Sequence, residues 1–73
     1  MTTTFRTDTK VTWRWGGHRA RGRIEQVFTK PVSRTIKGTR IRRRASADKP
    51  AYLIRQDDGD RVLKSHSELE EDG

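Results

Sequence analysis

The stretch Pro50-Ala-Tyr-Leu-Ile-Arg-Gln-Asp-Asp-Gly-Asp-Arg-Val-Leu-Lys-Ser-His-Ser-Glu-Leu69 is the most apolar part of the chain, and it decides the fold. Residues 52–56 are rich in aromatic and β-branched types. A second run with apolar residues, 61–64, follows the pair Asp58-Gly59. An Asp-Gly pair between two such runs is a strong signal for a β-hairpin, because the turn needs residues that accept φ > 0. The stretch therefore predicts a central hairpin that the other strands must cover.

Two registers of this hairpin are open from the sequence. A two-residue turn sets Ile54 opposite Leu63, whereas a three-residue loop with a glycine bulge sets Ile54 opposite Val62 and Leu53 opposite Leu63. Either register puts apolar residues on both faces of the pair. This is typical of strands in a small closed barrel rather than of a sheet with one solvated side.

The segment before this hairpin predicts two more strands. Residues 10–15 alternate between polar and apolar types, with both tryptophans on the apolar face, and Gly16-Gly17 ends the pattern. Residues 20–28 form the next predicted strand. Gly22 inside that strand indicates a sharp bend or a close approach of another backbone.

Residues 32–49 leave two paths open: two short strands around Lys37-Gly38-Thr39, or one strand followed by a long loop. Beyond the central hairpin, Ser67 and Glu70 fit a capping box, which predicts a single helical turn. We expect one domain over residues 5–69, with Phe5 folded back onto the core. Flexible ends are predicted at residues 1–4 and 70–73.

Four or five short antiparallel strands in a chain of 73 residues predict an all-β fold, a small SH3-like barrel. An OB-type barrel ranks second because it usually needs longer strands and more residues.

Charge is the dominant feature of the composition. Seventeen Lys and Arg against ten Asp and Glu give a net charge of +7, and only 29% of residues are hydrophobic. Residues 1–47 hold 13 basic and 2 acidic residues, whereas residues 48–73 hold 4 basic and 8 acidic ones. This split predicts a surface for a polyanion with an acidic tail at the far end. The alternative is a solvated surface that keeps a small domain in solution.

The absence of cysteine and of long apolar runs disfavours several classes of protein. Without cysteine there is no disulfide and no thiolate metal site. No signal peptide or membrane-spanning run is visible, so we expect a cytoplasmic protein with no membrane partner.

Catalytic and metal motifs are weak. The run Ser65-His66-Ser67 puts hydroxyls beside an imidazole, but neighbours on an extended chain point to opposite faces. The acidic tip Asp57-Asp58-Gly59-Asp60 does not fit a calcium loop, since the first ligand position would be Ile54. The sequence predicts no enzyme, no metal site and no cofactor.

Five motifs resemble the hypervirulence-associated protein family with a Tudor-like domain, a group of short bacterial and fungal proteins. The motifs are Trp13-x-Trp15-Gly16-Gly17, Arg34-Thr-Ile-Lys-Gly38, Arg44-Ala-Ser46, Pro50-Ala-Tyr-Leu-Ile54 and Asp57-Asp-Gly-Asp-Arg-Val-Leu-Lys-Ser-His-Ser-Glu68. The resemblance runs from about Phe5 to Leu69 and implies a Tudor-like, SH3-type barrel. One position departs from the family: Asp8 stands where glycine is usual. Asp tolerates a left-handed turn better than most residues, so the fold is expected to persist.

Two surfaces are candidates for function. A Tudor-like aromatic groove would use Trp13, Trp15 and Tyr52, with Trp15 the most exposed of the three. The stronger candidate is a basic surface, in which arginine forks suit bidentate contact with phosphate. Its predicted members are Arg14, Arg19, Arg21, Arg23, Arg34, Lys37, Arg40, Arg42, Arg43 and Arg44.

We therefore expect a non-enzymatic binding module that contacts nucleic acid or another polyanion through its arginines. The alternative is a protein-interaction module that holds a peptide or an acidic partner in the aromatic groove.

Overall fold

The computed structural model describes residues 4–72, which fold into seven strands and one 3-10 turn. The strands are β1 (Lys10–Trp15), β2 (His18–Phe28), β3 (Val32–Ile36), β4 (Thr39–Arg43), β5 (Ala51–Gln56), β6 (Arg61–Ser65) and β7 (Glu70–Glu71), and the 3-10 turn is His66–Glu68. A five-stranded antiparallel sheet has the order β6-β5-β2-β1-β7, and β3 and β4 form a separate two-stranded sheet. The all-β prediction is confirmed, and the arrangement is consistent with a small Tudor-like barrel.

The central hairpin takes the three-residue loop. Leu53 is opposite Leu63, Ile54 is opposite Val62, and Gly59 has φ +91°. A glycine bulge of this kind needs a left-handed residue, which glycine supplies without a steric penalty. The whole run of residues 51–54 is buried, so β5 is covered on both sides, as the apolar pattern predicts.

Strand β2 bends so that one sheet can curve around the core. Its pairing with β5 shifts register between Ile24 and Gln26, which leaves Glu25 as the extra residue of a bulge. Near this bend, a Cβ atom on Gly22 would lie 2.6 Å from the carbonyl oxygen of Arg55. The predicted close backbone approach at Gly22 is confirmed.

The core is formed by inward side chains of β1, β2 and β5 together with Leu69. Phe5, Ala20 and Val62 pack against it. The buried cluster itself contains Val11, Trp13, Ile24, Tyr52, Ile54 and Leu69. Phe5 therefore folds back onto the core as expected.

The β3–β4 hairpin settles the open path of residues 32–49 in favour of two strands. Ile36 is opposite Thr39, and the two turn residues between them, Lys37 and Gly38, both have positive φ (52° and 78°). Two-residue turns with positive φ at both positions match the twist of the flanking strands. Asp8 also adopts a left-handed φ of 69°, as its position in a turn predicts.

Two predictions about the end of the chain need correction. The turn begins two residues earlier than predicted: Glu68 Oε1 accepts the Ser65 backbone N–H at 2.9 Å, so the reciprocal pair is Ser65 and Glu68. The chain beyond Leu69 is not loose at Glu70 and Glu71, because these residues pair with β1. The predicted flexible residues 1–3 and 73 lie outside the described residues.

Candidate functional site

The β1–β2 hairpin gathers four of the ten predicted basic residues on one face. Arg14 and Arg19 are directly opposite each other, and Arg21 and Arg23 follow along β2 at two-residue steps. Residues two apart on a strand share a face. Except at its tip, where Trp15 is exposed, the other face of the hairpin packs in the core, whereas all four arginines are exposed. We call these four side chains the arginine face.

Carboxylates from the acidic end lie beside the arginine face because β7 pairs with β1. Glu70 Oε2 lies 2.8 Å from Arg19 Nη2, which also donates to Thr12 Oγ1 at 2.8 Å. Both charged side chains are largely solvent-exposed, so this ion pair adds little stability. Its consequence is electrostatic, since it offsets one of the four positive charges.

The other three members of the arginine face keep their charge free. Within residues 4–72, Arg14, Arg21 and Arg23 make no ion pair. A shallow hollow of about 160 Å³ beside Arg21 and Arg23 is also lined by Asp57 and Asp72. The face is therefore basic at its centre and bordered by carboxylates.

The six remaining predicted basic residues lie on or beside the β3–β4 hairpin. Arg40 and Arg42 are on its exposed face, and Arg44 follows the end of β4. The Arg34 guanidinium carbon lies 5.1 Å from the centre of the Phe28 ring, within the range of a cation–π contact. This hairpin is a sheet of its own, so no strand pairing connects its cations to the arginine face.

Two of these six residues tether the β3–β4 hairpin to the main sheet. Lys37 Nζ lies 2.6 Å from Asp60 Oδ2, and this hydrogen bond and charge raise the pKa of Lys37. Arg43 Nε lies 3.1 Å from Glu68 Oε1, and Lys64 Nζ is 3.6 Å from Glu68 Oε2. Both tethering cations are therefore already occupied by carboxylates.

Glu68 is the shared carboxylate of the ion pairs with Arg43 and Lys64. Partial burial on its own raises the pKa of this carboxyl, but the Ser65 N–H and the positive charges of Arg43 and Lys64 outweigh it. Together they hold the pKa of Glu68 below its ordinary value.

Three exposed cations that the sequence analysis left out extend the arginine face. Lys10 is opposite Arg23, Arg23 is opposite Arg55, and Arg55 is opposite Arg61. Signals for them were present: Lys10 alternates with Arg14 on β1, and the three-residue loop register places Arg55 opposite Arg61. The face thus crosses four strands rather than two.

An open groove of about 500 Å³ lies between the tip of the β1–β2 hairpin, β6 and the β3–β4 hairpin. Trp13 and Trp15 line it, together with Ala20, Ile41 and Val62. Trp15 is 66% exposed, whereas Trp13 is 2% exposed and belongs mostly to the core. The groove also has charged side chains in its lining, among them Lys37, Asp60 and Lys64, and Trp15 is its most exposed apolar side chain.

Tyr52 is not part of this groove, which corrects its predicted place there. The side chain is fully buried, its hydroxyl accepts the Phe5 backbone N–H at 3.1 Å, and the oxygen lies 2.9 Å from His66 Nδ1. Burial raises the pKa of the Tyr52 hydroxyl, although the Phe5 N–H opposes the effect. Its ring and hydroxyl are used inside the fold, so an aromatic cage of three rings does not form at the groove.

No group of three or more His, Asp or Glu side chains within residues 4–72 is arranged to hold a metal ion. The same part of the chain contains no helix with the length and apolar character needed to cross a membrane.

Comparison with known proteins identifies a family. No curated protein and no solved structure matches the chain significantly. Residues 8–69 match the family described as hypervirulence associated proteins TUDOR domain, and this range includes every element from β1 to the 3-10 turn. A Tudor-like domain indicates a small binding module. The chain belongs to the hypervirulence-associated protein family with a Tudor domain.

Proposed function

We propose that this domain binds nucleic acid or a similar polyanion through the arginine face and catalyses no reaction. One observation carries the proposal: the β1–β2 register puts four exposed side chains, Arg14, Arg19, Arg21 and Arg23, on the face of the hairpin that is opposite the core. Guanidinium groups in a planar fork suit the oxygens of phosphate. A cytoplasmic location, as inferred from the sequence, is compatible with such a ligand.

The binding is mainly to the backbone of the nucleic acid. The described residues contain no helix that could enter a groove, since the 3-10 turn has three residues. Contacts to phosphate position a protein but carry no sequence information directly. We therefore expect little preference among sequences and a steep dependence on salt.

A salt-titrated anisotropy assay on generic oligonucleotides tests the proposal. Replacing Arg14 and Arg21 with Gln should weaken binding and reduce the magnitude of the salt slope by about 1.8, because each lost phosphate contact removes about 0.9. Replacing Lys30 and Lys49 with Gln is the matched control, since both are exposed and lie outside the strands. Lack of salt-dependent binding near physiological ionic strength rules the proposal out.

The groove supports a second candidate function, the binding of a peptide or an acidic protein partner. Trp15 is the observation that favours it, because a tryptophan that is 66% exposed beside an apolar groove is typical of a contact residue. Pull-down from a nuclease-treated lysate separates the two functions. A partner that survives nuclease and is lost with Trp15→Ala supports the groove, whereas loss of all partners on nuclease treatment supports the arginine face.

A further inference from the structure

Four exposed cations lie in a line across four adjacent strands. Lys10 on β1, Arg23 on β2, Arg55 on β5 and Arg61 on β6 are each directly opposite the next. Directly opposite residues project from the same face of a sheet. We call this set the cationic row, and it forms one margin of the surface that contains the arginine face.

The cationic row is unfavourable for the isolated domain. Like charges directly opposite each other on neighbouring strands destabilise a sheet, and the row contains three such pairs in succession. Arg61 is relieved by Glu25, whose two carboxylate oxygens both lie 3.1 Å from Arg61 Nε. Within residues 4–72, Lys10, Arg23 and Arg55 have no ion pair. Asp57 and Asp72 border the row without forming an ion pair with it. The three unpaired cations therefore remain available for the negative charges of an external partner.

The length of the row matches a target with two rows of phosphates. Neighbouring strands are about 4.8 Å apart, so three spacings give about 14 Å from Lys10 to Arg61. The minor groove of a B-form duplex is about 6 Å wide and the major groove about 12 Å. A row of this length reaches the phosphates on both sides of a groove, and a single strand offers only one of those two sides.

Aromatic side chains are absent from the row and its neighbours on β1 and β2. Trp13 and Trp15 lie on the opposite face of β1, Phe5 and Tyr52 belong to the core, and the Phe28 ring at the far end of β2 is beneath Arg34. Proteins that bind single strands combine a basic groove with aromatic rings on which bases stack. This surface supplies the charge without the stacking.

We propose that the cationic row binds the phosphate backbone of double-stranded nucleic acid, with contacts to both strands across a groove. The inference rests on the proposed function and specifies its substrate class. Arg21 and Arg14 extend the contact along β2 and β1 in steps of about 6.7 Å, whereas Arg19 is occupied by Glu70.

Fluorescence anisotropy with a 16-base-pair duplex, as DNA and as RNA, and with its separated strands tests the inference. The duplex should bind more tightly than either strand. Six phosphate contacts, four from the row together with Arg14 and Arg21, give a slope of log K against log salt of about −5.4, so affinity should fall about 1,800-fold between 50 and 200 mM salt. The DNA and RNA arms distinguish the two kinds of duplex, and tighter binding of either one than of its single strands supports the inference.

The variant Arg23→Gln/Arg55→Gln removes two members of the row. Its affinity should fall only about 150-fold over the same salt range, because four contacts remain. Arg40→Gln/Arg42→Gln removes the same charge from the exposed face of β3–β4 and should keep the wild-type slope and duplex preference. Thermal unfolding checks the fold of both variants, and the first should unfold no earlier than wild type because it relieves repulsion.

Two results would overturn the inference while leaving the proposed function intact: single strands that bind as tightly as the duplex, or a salt slope that changes in the β3–β4 variant and not in the row variant. Absence of binding to every oligonucleotide would overturn both.

Discussion

Replacing Gly22 with Ala should destabilise the domain through a steric conflict between β2 and β5. A Cβ atom at this position would lie 2.6 Å from the Arg55 carbonyl oxygen and 2.7 Å from Ile54 Cγ2. Neither atom can rotate away, since one belongs to the backbone and the other to a β-branched side chain that is fully buried. The two strands must therefore separate.

The size of the effect follows from two opposing contributions. Overpacking a well-filled site costs about 3 kcal/mol at the upper end of its usual range. Alanine offsets about 1 kcal/mol of this, because it restricts the unfolded chain more than glycine does. The net loss of about 2 kcal/mol should lower the Tm by about 8 to 16 °C in a domain of this size.

Thermal and urea unfolding followed by circular dichroism measure this loss. Gly17→Ala is the matched control, because no atom lies within 4 Å of its added Cβ and its φ is not left-handed. It should be neutral or slightly stabilising. The reasoning fails if Gly22→Ala unfolds within 3 °C of wild type, or if both variants lose the same stability.

Three further predictions concern the acidic end and the core. Glu70→Gln frees Arg19 and should strengthen duplex binding, with a salt slope steeper by about 0.9; unchanged binding in the anisotropy assay would contradict this. The pKa of Glu68 is lowered in the folded state, so its contribution to stability is present above the ordinary value of 4.5 and is lost as the pH falls below it. Between pH 6 and pH 3, the free energy of unfolding of the wild type should therefore fall by about 0.5 kcal/mol more than that of Glu68→Gln, as measured by urea unfolding. The difference is small because the side chain is partly exposed. If both proteins lost the same free energy over this pH range, the Ser65 N–H, Arg43 and Lys64 would not be stabilising the charged form of Glu68. Tyr52→Phe leaves two hydrogen-bond partners of the hydroxyl unsatisfied and should cost about 1 to 2 kcal/mol in urea unfolding, and a variant as stable as wild type would contradict this.

Most of the fold is predictable because it depends on local patterns. The alternation in residues 10–15 and the Asp-Gly turn are sufficient to place β1 and the central hairpin. The position of the helical turn is not predictable from the local pattern, because two pairs of residues have the spacing of a capping box: Ser65 with Glu68, and Ser67 with Glu70. The choice depends on a distant contact: only the earlier turn leaves Glu70 and Glu71 free to pair with β1.

The candidate site is less predictable because it depends on which strands become neighbours. The arginines of β2 alternate in the sequence, so their shared face follows from one strand alone. Arg55 joins them only because β5 pairs with β2, a contact between segments that a whole hairpin separates. The difference between Trp13 and Trp15 is more local. Both lie on the apolar face, and the position of Trp15 beside Gly16-Gly17 at the end of β1 predicts that it is the more exposed one, which the structure confirms.

The pairing of β7 with β1 also bears on how copies of the domain behave at high concentration. An exposed strand edge is a template for intermolecular pairing, and β1 would present such an edge next to Val11 and Trp13 if nothing covered it. The strand that covers the first half of this edge has two residues, both glutamates, and it pairs with Val11 and Thr12. The sheet therefore ends there in a short, negatively charged margin. Such a margin offers little for a second copy to extend, and two of them repel each other.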